Sequence, residues 1–369
     1  MSGGVLHVLG ARPNFPKAAP VIRALRAVPA GPRQQVVHTG QHYDADLSDV
    51  FFADLDLPEP VANLGVGSGS HGRQTAALLI GLESEIGARG PDLVLAYGDV
   101  NSTLAAALVC AKLRTPFGHV EAGLRSFDRS MPEEVNRVVV DALADVLFAT
   151  SPEALGHLGA EGVDPARVHL VGNPMVDSVL AALPRLDPAP LRARFGLPAR
   201  YAVATLHRPA NVDDAQAAAE LVAAVHELSR RLPVLVALHP RGRPTLSAAG
   251  LADTATLKVT GPLGYVDFLS LVRGAALVVT DSGGVQEETT ALRVPCLTLR
   301  PNTERPITCS HGTNRLVAAA TLPAAADKVL AGDVPGGLHA DGPPLWDGRA
   351  GERIARVVAG LVAAGAPLR

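Results

Sequence analysis

The feature that most limits how this chain can fold is a rhythm that runs through it twice. Short aliphatic and β-branched runs alternate with longer stretches at helical spacing. In the first half, residues 5–9, 35–39, 93–97, 117–120 and 146–149 read as strands, with helical patterns between most of them. In the second half the series restarts at 201–206 and continues through 234–238, 256–260, 277–280 and 296–299. Strands that are apolar on both faces need helices on both sides, which is the βαβ arrangement of a parallel sheet. The expected fold class is therefore α/β, built as two Rossmann-like domains facing a central cleft. In such sheets ligands bind outside the carboxyl ends of the strands.

A chain of 369 residues accommodates two such domains. Between the two series, residues 181–198 carry Pro184, Pro188, Pro190 and Pro198. That stretch reads as a hinge followed by a short helix, with the boundary near residues 172–185. We expect an N-terminal domain over 1–175 and a C-terminal domain over 176–345. A last helix over 346–369 follows the Gly/Pro-rich segment 332–344.

Composition narrows the function classes. Nearly half the residues are apolar, yet no run reaches the ~18 residues of a bilayer span. Met1-Ser2-Gly3-Gly4 leads straight into an apolar strand without a basic n-region, so a cytoplasmic location is expected. The net charge of −3 and the lack of long basic runs argue against nucleic acid as a partner. Cys110, Cys296 and Cys309 fit neither a disulfide framework nor a zinc motif, and free thiols are expected. No carboxylate or histidine cluster has convincing metal spacing, so no catalytic metal is expected.

Several strand ends carry residues that suit chemistry. After residues 5–9 comes Gly10-Ala11-Arg12-Pro13-Asn14-Phe15-Pro16-Lys17, a turn into a helix whose N–H groups, with Arg12 and Lys17, suit a diphosphate. A ligand-free structural turn would read the same way. Asp99, in Tyr97-Gly98-Asp99-Val100-Asn101-Ser102-Thr103, falls at a strand's carboxyl edge, although it could merely cap the following helix. Glu121, in His119-Val120-Glu121-Ala122-Gly123-Leu124-Arg125, ends the next strand, with ion pairing to Arg125 as its structural alternative. Glu133 stands three residues after Ser130, where a capping box would also account for it. Three acids converging on one edge suit proton transfer.

In the second half, Thr280-Asp281-Ser282-Gly283-Gly284-Val285-Gln286-Glu287-Glu288 ends a strand and opens a helix. Paired glycines let a phosphate approach the backbone, and Glu288 lies one turn on from Gly284, in reach of ribose hydroxyls. Favourable charge in a first helical turn explains the glutamates but not the glycines. His207-Arg208 and His239-Pro240-Arg241 close consecutive strands and suit phosphate or base contacts.

Taken in order, these segments resemble the non-hydrolysing UDP-N-acetylglucosamine 2-epimerases. The resemblance runs from Gly10 to about Arg315 and rests on 10–13, 119–125, Pro132-Glu133-Glu134, 281–288 and Thr303-Glu304-Arg305-Pro306. It implies a fold like that of the GT-B glycosyltransferases, with the C-terminal helix returning to the first domain. It implies reversible C2 epimerisation of a UDP-N-acetylhexosamine, UDP-GlcNAc to UDP-ManNAc, by anti elimination of UDP and re-addition through a 2-acetamidoglucal. No cofactor is implied, and a homodimer is. Asp99, Glu121 and Glu133 match the family's acidic catalytic residues. Arg12, Lys17, His207, Ser282, Gly283, Gly284, Glu288 and Arg305 match positions that hold UDP. His207 also stands among the catalytic candidates, and Phe268 matches an aromatic at the base pocket.

The chain departs from the best-known pattern in places. Asn14 stands where many members have Glu, and Leu263 where a pocket Gln often lies. Members regulated by a second UDP-N-acetylglucosamine continue with Arg and Gln where this chain has Tyr43 and Asp44, so such regulation is expected to be weak or absent. Residues 123–134 run two shorter than in the best-known form, resembling a branch that contains epimerases of diacetamido uronic acid sugars. A GT-B glycosyltransferase would share the Ser282-to-Glu288 turn but not the acids at 99, 121 and 133.

Overall fold

Strands whose residues are apolar on both sides fold into the centre of a layer, and both sheets here follow that rule. The computed structural model describes residues 3–40, 45–334 and 342–365. Two units are present, Met1–Ser178 with Pro344–Arg369, and Val179–Pro343.

The first unit begins β1 Val5–Leu9, α1 Phe15–Arg26, β2 Gln34–His38, α2 Ala45–Asp54, β3 Ala62–Asn63 and α3 His71–Arg89. It continues β4 Leu93–Tyr97, α4 Asn101–Leu113, β5 Phe117–Ala122, α5 Pro132–Leu143, β6 Val146–Ala149, α6 Pro152–Ala160 and β7 Val168–Leu170. Helix α7 Pro174–Ala182 follows, and the division between units falls inside it. The second unit carries α8 Ala189–Phe195, β8 Ala202–Thr205, α9 Pro209–Val212, α10 Ala215–Ser229, β9 Val234–Ala237, α11 Arg243–Ala248 and β10 Leu257–Thr260. Then come α12 Tyr265–Gly274, β11 Leu277–Thr280, α13 Gly283–Leu292, β12 Cys296–Leu299, α14 Ile307–Ser310, β13 Asn314–Val317 and α15 Leu322–Leu330. Helix α16, Ala350–Ala364, returns to the first unit and packs along α1.

The first sheet is parallel with order β3-β2-β1-β4-β5-β6-β7, the second parallel with order β10-β9-β8-β11-β12-β13. Each reverses direction of winding once, between β1 and β4 and between β8 and β11. Those two places are the switch points at which open α/β sheets leave a crevice for ligands. One face of the first sheet buries Leu6, Val8, Val94 and Ala96 against α3 and α4. The other buries Val5, Leu9, Leu95 and Tyr97 with Phe15 and Ile22 of α1 and with Ile354 and Val358 of α16.

Three strands were not legible: β3, β7 and β13. All three are edge strands, with a neighbour on one side only, and none is buried along its whole length. The apolar signal is weakest where cover is incomplete. The run at 117–120 extends to Ala122, which makes Glu121 a strand residue. Residues 172–185, expected to hold the boundary, are mostly helical, being α7 and a 3-10 turn Leu183–Arg185, and the expected hinge over 181–198 is that turn followed by the short helix α8. Gln41 to Asp44 lie outside the described residues. No helix among the described residues is long and apolar enough to cross a membrane.

Candidate active site

In the first unit the candidate residues gather where β1, β4 and β5 end. Asn14 organises the first turn: its Oδ1 accepts from the amides of Gly10 and Ala11, both at 3.0 Å, and its Nδ2 donates to the Tyr97 carbonyl at 2.6 Å. A Glu at this position could not make that last donation. The turn is thereby fastened to the end of β4. One helical turn on, Lys17 is buried and pairs with Glu121, equally buried at the end of β5. Against this pair lies Gly98, at φ +70; a Cβ there would sit 2.9 Å from Lys17 Nζ and 3.0 Å from Glu121 Oε2. Only glycine allows the close approach of these two charges beside the backbone that carries Asp99.

Glu121 itself has φ +79, and the β5–β6 register shifts between Val120 and Ala122. A non-glycine residue in the left-handed region, at a bulge, is strained, and such strain collects at functional sites. The expected alternative partner, Arg125, is elsewhere: it meets Asp141 at 2.7 Å and Glu161 at 2.6 Å. The pairing of Glu121 is with Lys17, across the sheet.

Asp99 is half-buried and pairs with Arg137 of α5. It is not the cap of α4, whose N-cap is Val100. The capping box expected from Ser130 and Glu133 does not form either. The N-cap of α5 is Met131, and Ser130 donates instead to Asp128 at 2.6 Å. Glu133 is half-buried in the first turn of α5, and Arg12 is half-buried in the 3-10 turn after β1.

Residues that sequence reasoning missed form the floor of this edge. Glu134, Arg137 and Asp141 are buried on α5. Burial pushes the Glu134 carboxyl up, but the Ser126 amide and Arg137 outweigh it and hold it below its usual range. Asp141 behaves alike, held down by His119 and Arg125 against its burial. It accepts from the Gly123 amide at 3.0 Å and lies 2.6 Å from His119 Nδ1. His119 Nε2 is 2.9 Å from the Gly98 carbonyl. A carbonyl only accepts, so that nitrogen carries a proton and pins the turn before Asp99. Spacing of 134, 137 and 141 on one helical face was the available signal, masked because charged residues ordinarily mark a solvated face.

The second unit builds its site at the β8/β11 switch point. Asp281, buried after β11, accepts from the amides of His207 and Arg208 and from Asn211 Nδ2, and it lies 2.8 Å from His207 Nδ1. Burial raises its carboxyl, but His207 and these donors outweigh that and bring it to about 2. His207 keeps part of its ring exposed and packs against His239, with centroids 5.8 Å apart. Ser282 is the N-cap of α13, and Gly283 and Gly284 are its first residues. A Cβ on Gly283 would lie 2.7 Å from Glu304 Oε1 and would collide with the Arg305 guanidinium.

Arg305 is buried between Glu304 and Glu287, meeting the latter at 2.7 Å. Glu304 also holds Arg300 at 2.6 Å, and these cations keep its carboxyl far below the usual range despite its burial. Glu288 is the opposite case. Burial first, and then Glu287 beside it, push its carboxyl up to about 8, so near neutral pH it holds its proton and can donate as well as accept. Phe268 is half-buried on α12 and packs against the core cluster of Leu191, Tyr201 and Leu271. Among the described residues no group of His, Cys, Asp and Glu is placed to hold a metal ion.

Each unit thus presents polar and charged residues at its own switch point. The chain matches the family model for UDP-N-acetylglucosamine 2-epimerase over residues 26–359. It is similar to the UDP-N-acetylglucosamine 2-epimerase of Methanocaldococcus jannaschii, 42% identical over 320 residues, which are 84% of this chain and 87% of the relative. It is also similar to the UDP-2,3-diacetamido-2,3-dideoxy-D-glucuronate 2-epimerase of Pseudomonas aeruginosa, 38% identical over 367 residues, 97% of this chain and 99% of the relative. The crystal structure of the M. jannaschii UDP-GlcNAc 2-epimerase in complex with UDP-GlcNAc and UDP matches with a TM-score of 0.88 at 39% identity, covering 96% of this chain and 98% of that one. This chain belongs to the UDP-N-acetylglucosamine 2-epimerase family.

Proposed function

We propose that this protein interconverts UDP-GlcNAc and UDP-ManNAc by elimination and re-addition of UDP. The observation that carries the reading is the set of ionisable groups at the β1/β4/β5 edge, Asp99, Glu121 and Lys17, packed about Gly98. A base takes the C2 proton, the C–H electron pair becomes the C1=C2 bond, and the C1–O bond breaks with its pair on the β-phosphate of UDP. Protonation of the glycal at C2 from the other face and attack of the same UDP oxygen on C1 give the epimer. Atoms and electrons balance with no oxidant or reductant. Two protonation faces need at least two positioned groups, and Asp99, Glu121 and Glu133 supply them. To the charge that builds on the leaving diphosphate we assign Arg12 and Lys17 of the first unit and the amides that open α13 in the second. His207, held at Nδ1 by Asp281, has Nε2 left to face the nucleotide. Glu288 serves the ribose hydroxyls, Arg305 backs the Gly283 turn, and Phe268 serves the base. The reading includes a cytoplasmic homodimer with 1–175, 176–345 and 346–369 as its parts.

Incubation with UDP-GlcNAc in D2O tests this: deuterium should enter C2 of both epimers, and no incorporation refutes it. Gly283→Val should displace Arg305 and weaken UDP binding at least ~10-fold by calorimetry. Unchanged affinity would remove UDP from that turn.

A second reading, a UDP-diacetamido uronic acid sugar as substrate, is favoured by the nearly full-length similarity to the P. aeruginosa enzyme. A panel of both sugar nucleotides, compared by kcat/KM, separates the two.

A further inference from the structure

We propose that Glu134 is a positioning residue that sets Arg137 against Asp99 and ties the same geometry to the Ser126–Phe127 turn. The proposal rests on the reading of Asp99 as an acid–base group. Glu134 Oε2 accepts from Arg137 Nη2 at 2.6 Å and Nε at 3.1 Å, gripping one edge of the guanidinium. A guanidinium is planar, so fixing that edge fixes where Nη1 points, and Nη1 is the nitrogen that meets Asp99. Without this grip the guanidinium loses its two short contacts on that edge, keeping there a longer one from Nη2 to Ser126 Oγ at 3.5 Å, and Asp99 has a less firmly set partner.

The same carboxylate holds the chain that connects β5 to α5. Oε2 also accepts from Ser126 N and Oγ, each at 2.9 Å, and Oε1 accepts from Phe127 N at 3.0 Å. Two successive backbone amides turned onto one anion require an unusual turn, and Phe127 has φ +58. Phe127 is 73% exposed, and beside an edge contact of its ring with His157 the bonds to Glu134 are what hold that conformation. Every one of these contacts is a donor. An amide side chain therefore turns its NH2 group onto either Phe127 N or Arg137, and an aspartate is one methylene too short to reach both. Glu134 stands where the segment from Glu121 rejoins α5 beside Glu133, and it reaches Asp99 through Arg137.

Steady-state kinetics of Glu134→Gln, Arg137→Lys and the double variant test this. Glu134→Gln should lower kcat about 10- to 100-fold, the scale of a misplaced reacting group. KM and the UDP Kd should stay within about 3-fold. The double variant should be no worse than the worse single one, because both changes act through one contact. Glu134→Asp, which keeps the buried charge and guards against misfolding of the amide variant, should lose less kcat than Glu134→Gln. A folded Glu134→Gln or Glu134→Asp protein with parental kcat overturns the proposal. So does a loss confined to KM, or one that adds fully to that of Arg137→Lys. Absence of C2 exchange in the unmodified chain with either sugar nucleotide is a different failure: it removes the epimerase reading, and this proposal with it.

Discussion

At the scale of single residues, Glu121 is held in a conformation that it pays for in strain. Its left-handed backbone costs roughly 1–2 kcal/mol relative to an ordinary strand residue. Glycine would remove that cost, yet it would leave Lys17 buried without this partner, and breaking a buried pair costs about 3–5 kcal/mol. The second effect is larger. Glu121→Gly should therefore lower stability in urea titrations, and adding Lys17→Met should restore much of it. A Glu121→Gly protein more stable than the parent would show that the pair contributes little. Glu121→Gln, by contrast, should fold and lose about 10²–10⁴-fold in turnover. The sequence marked Glu121 as a functional acid, because an acid ending an apolar strand is poorly explained by packing. It did not mark the partner. Arg125 lay four residues away and Lys17 lies 104 positions away, and only the adjacency of β1, β4 and β5 brings that lysine across.

At the scale of elements, two buried aspartates hold chain ends together with opposite consequences for pH. Asp281 joins the end of β11 to the start of α9, and its carboxyl is brought from 3.8 to about 2. A depressed acid stabilises above its unfolded value and loses that contribution as pH falls toward 2, on the order of 2 kcal/mol. Asp177, on α7, accepts from the amides of Ala350 at 3.2 Å and Gly351 at 2.7 Å and so caps α16. Burial, with Asp347 adding to it, raises its carboxyl from 3.8 to about 6 despite those amides. A raised acid works the other way: its contribution is present below about 4 and fades as pH rises through 6. Urea titrations across pH should show Asp281→Asn flattening the acid limb, and Asp177→Asn flattening a decline between pH 4 and 6. Reversal of either slope would refute its assignment. Neither aspartate was singled out from sequence as a site residue. The helices were visible through their apolar spacing, whereas a cap supplied from 173 residues away has no local pattern.

At the scale of the whole molecule, the doubled βαβ rhythm was sufficient for the fold class, because buried parallel strands leave few architectures open. Strand order was not legible: nothing in the local pattern says that β1 and β8 lie in the middle of their sheets. The part played by the last helix follows from that order. With β1 central, α1 covers one face of the sheet beside β4, and α16 packs along α1 to finish the layer. Ile354 and Val358 are fully buried there, and Ala355 nearly so. Exposing two such large side chains costs roughly 3–6 kcal/mol, before any loss from the uncovered faces of Phe15 and Ile22. A whole domain is stable by only about 5–15 kcal/mol. Truncation before Pro344 should therefore unfold the first unit at temperatures that the intact protein withstands. The second unit has its own cores on both faces of its sheet, built from Leu206, Val225 and Val236 on one side and Tyr201, Val203 and Leu235 on the other, and neither cluster includes a residue of α16. Calorimetry of the truncated chain should show one transition displaced downward or lost and one kept. Hydrogen exchange should assign the loss to β1, β4 and α1, with amides of β8 and β11 still protected. If protection falls equally in both sheets, the two units do not unfold independently; if it falls in neither, the packing of α16 adds little to the first core.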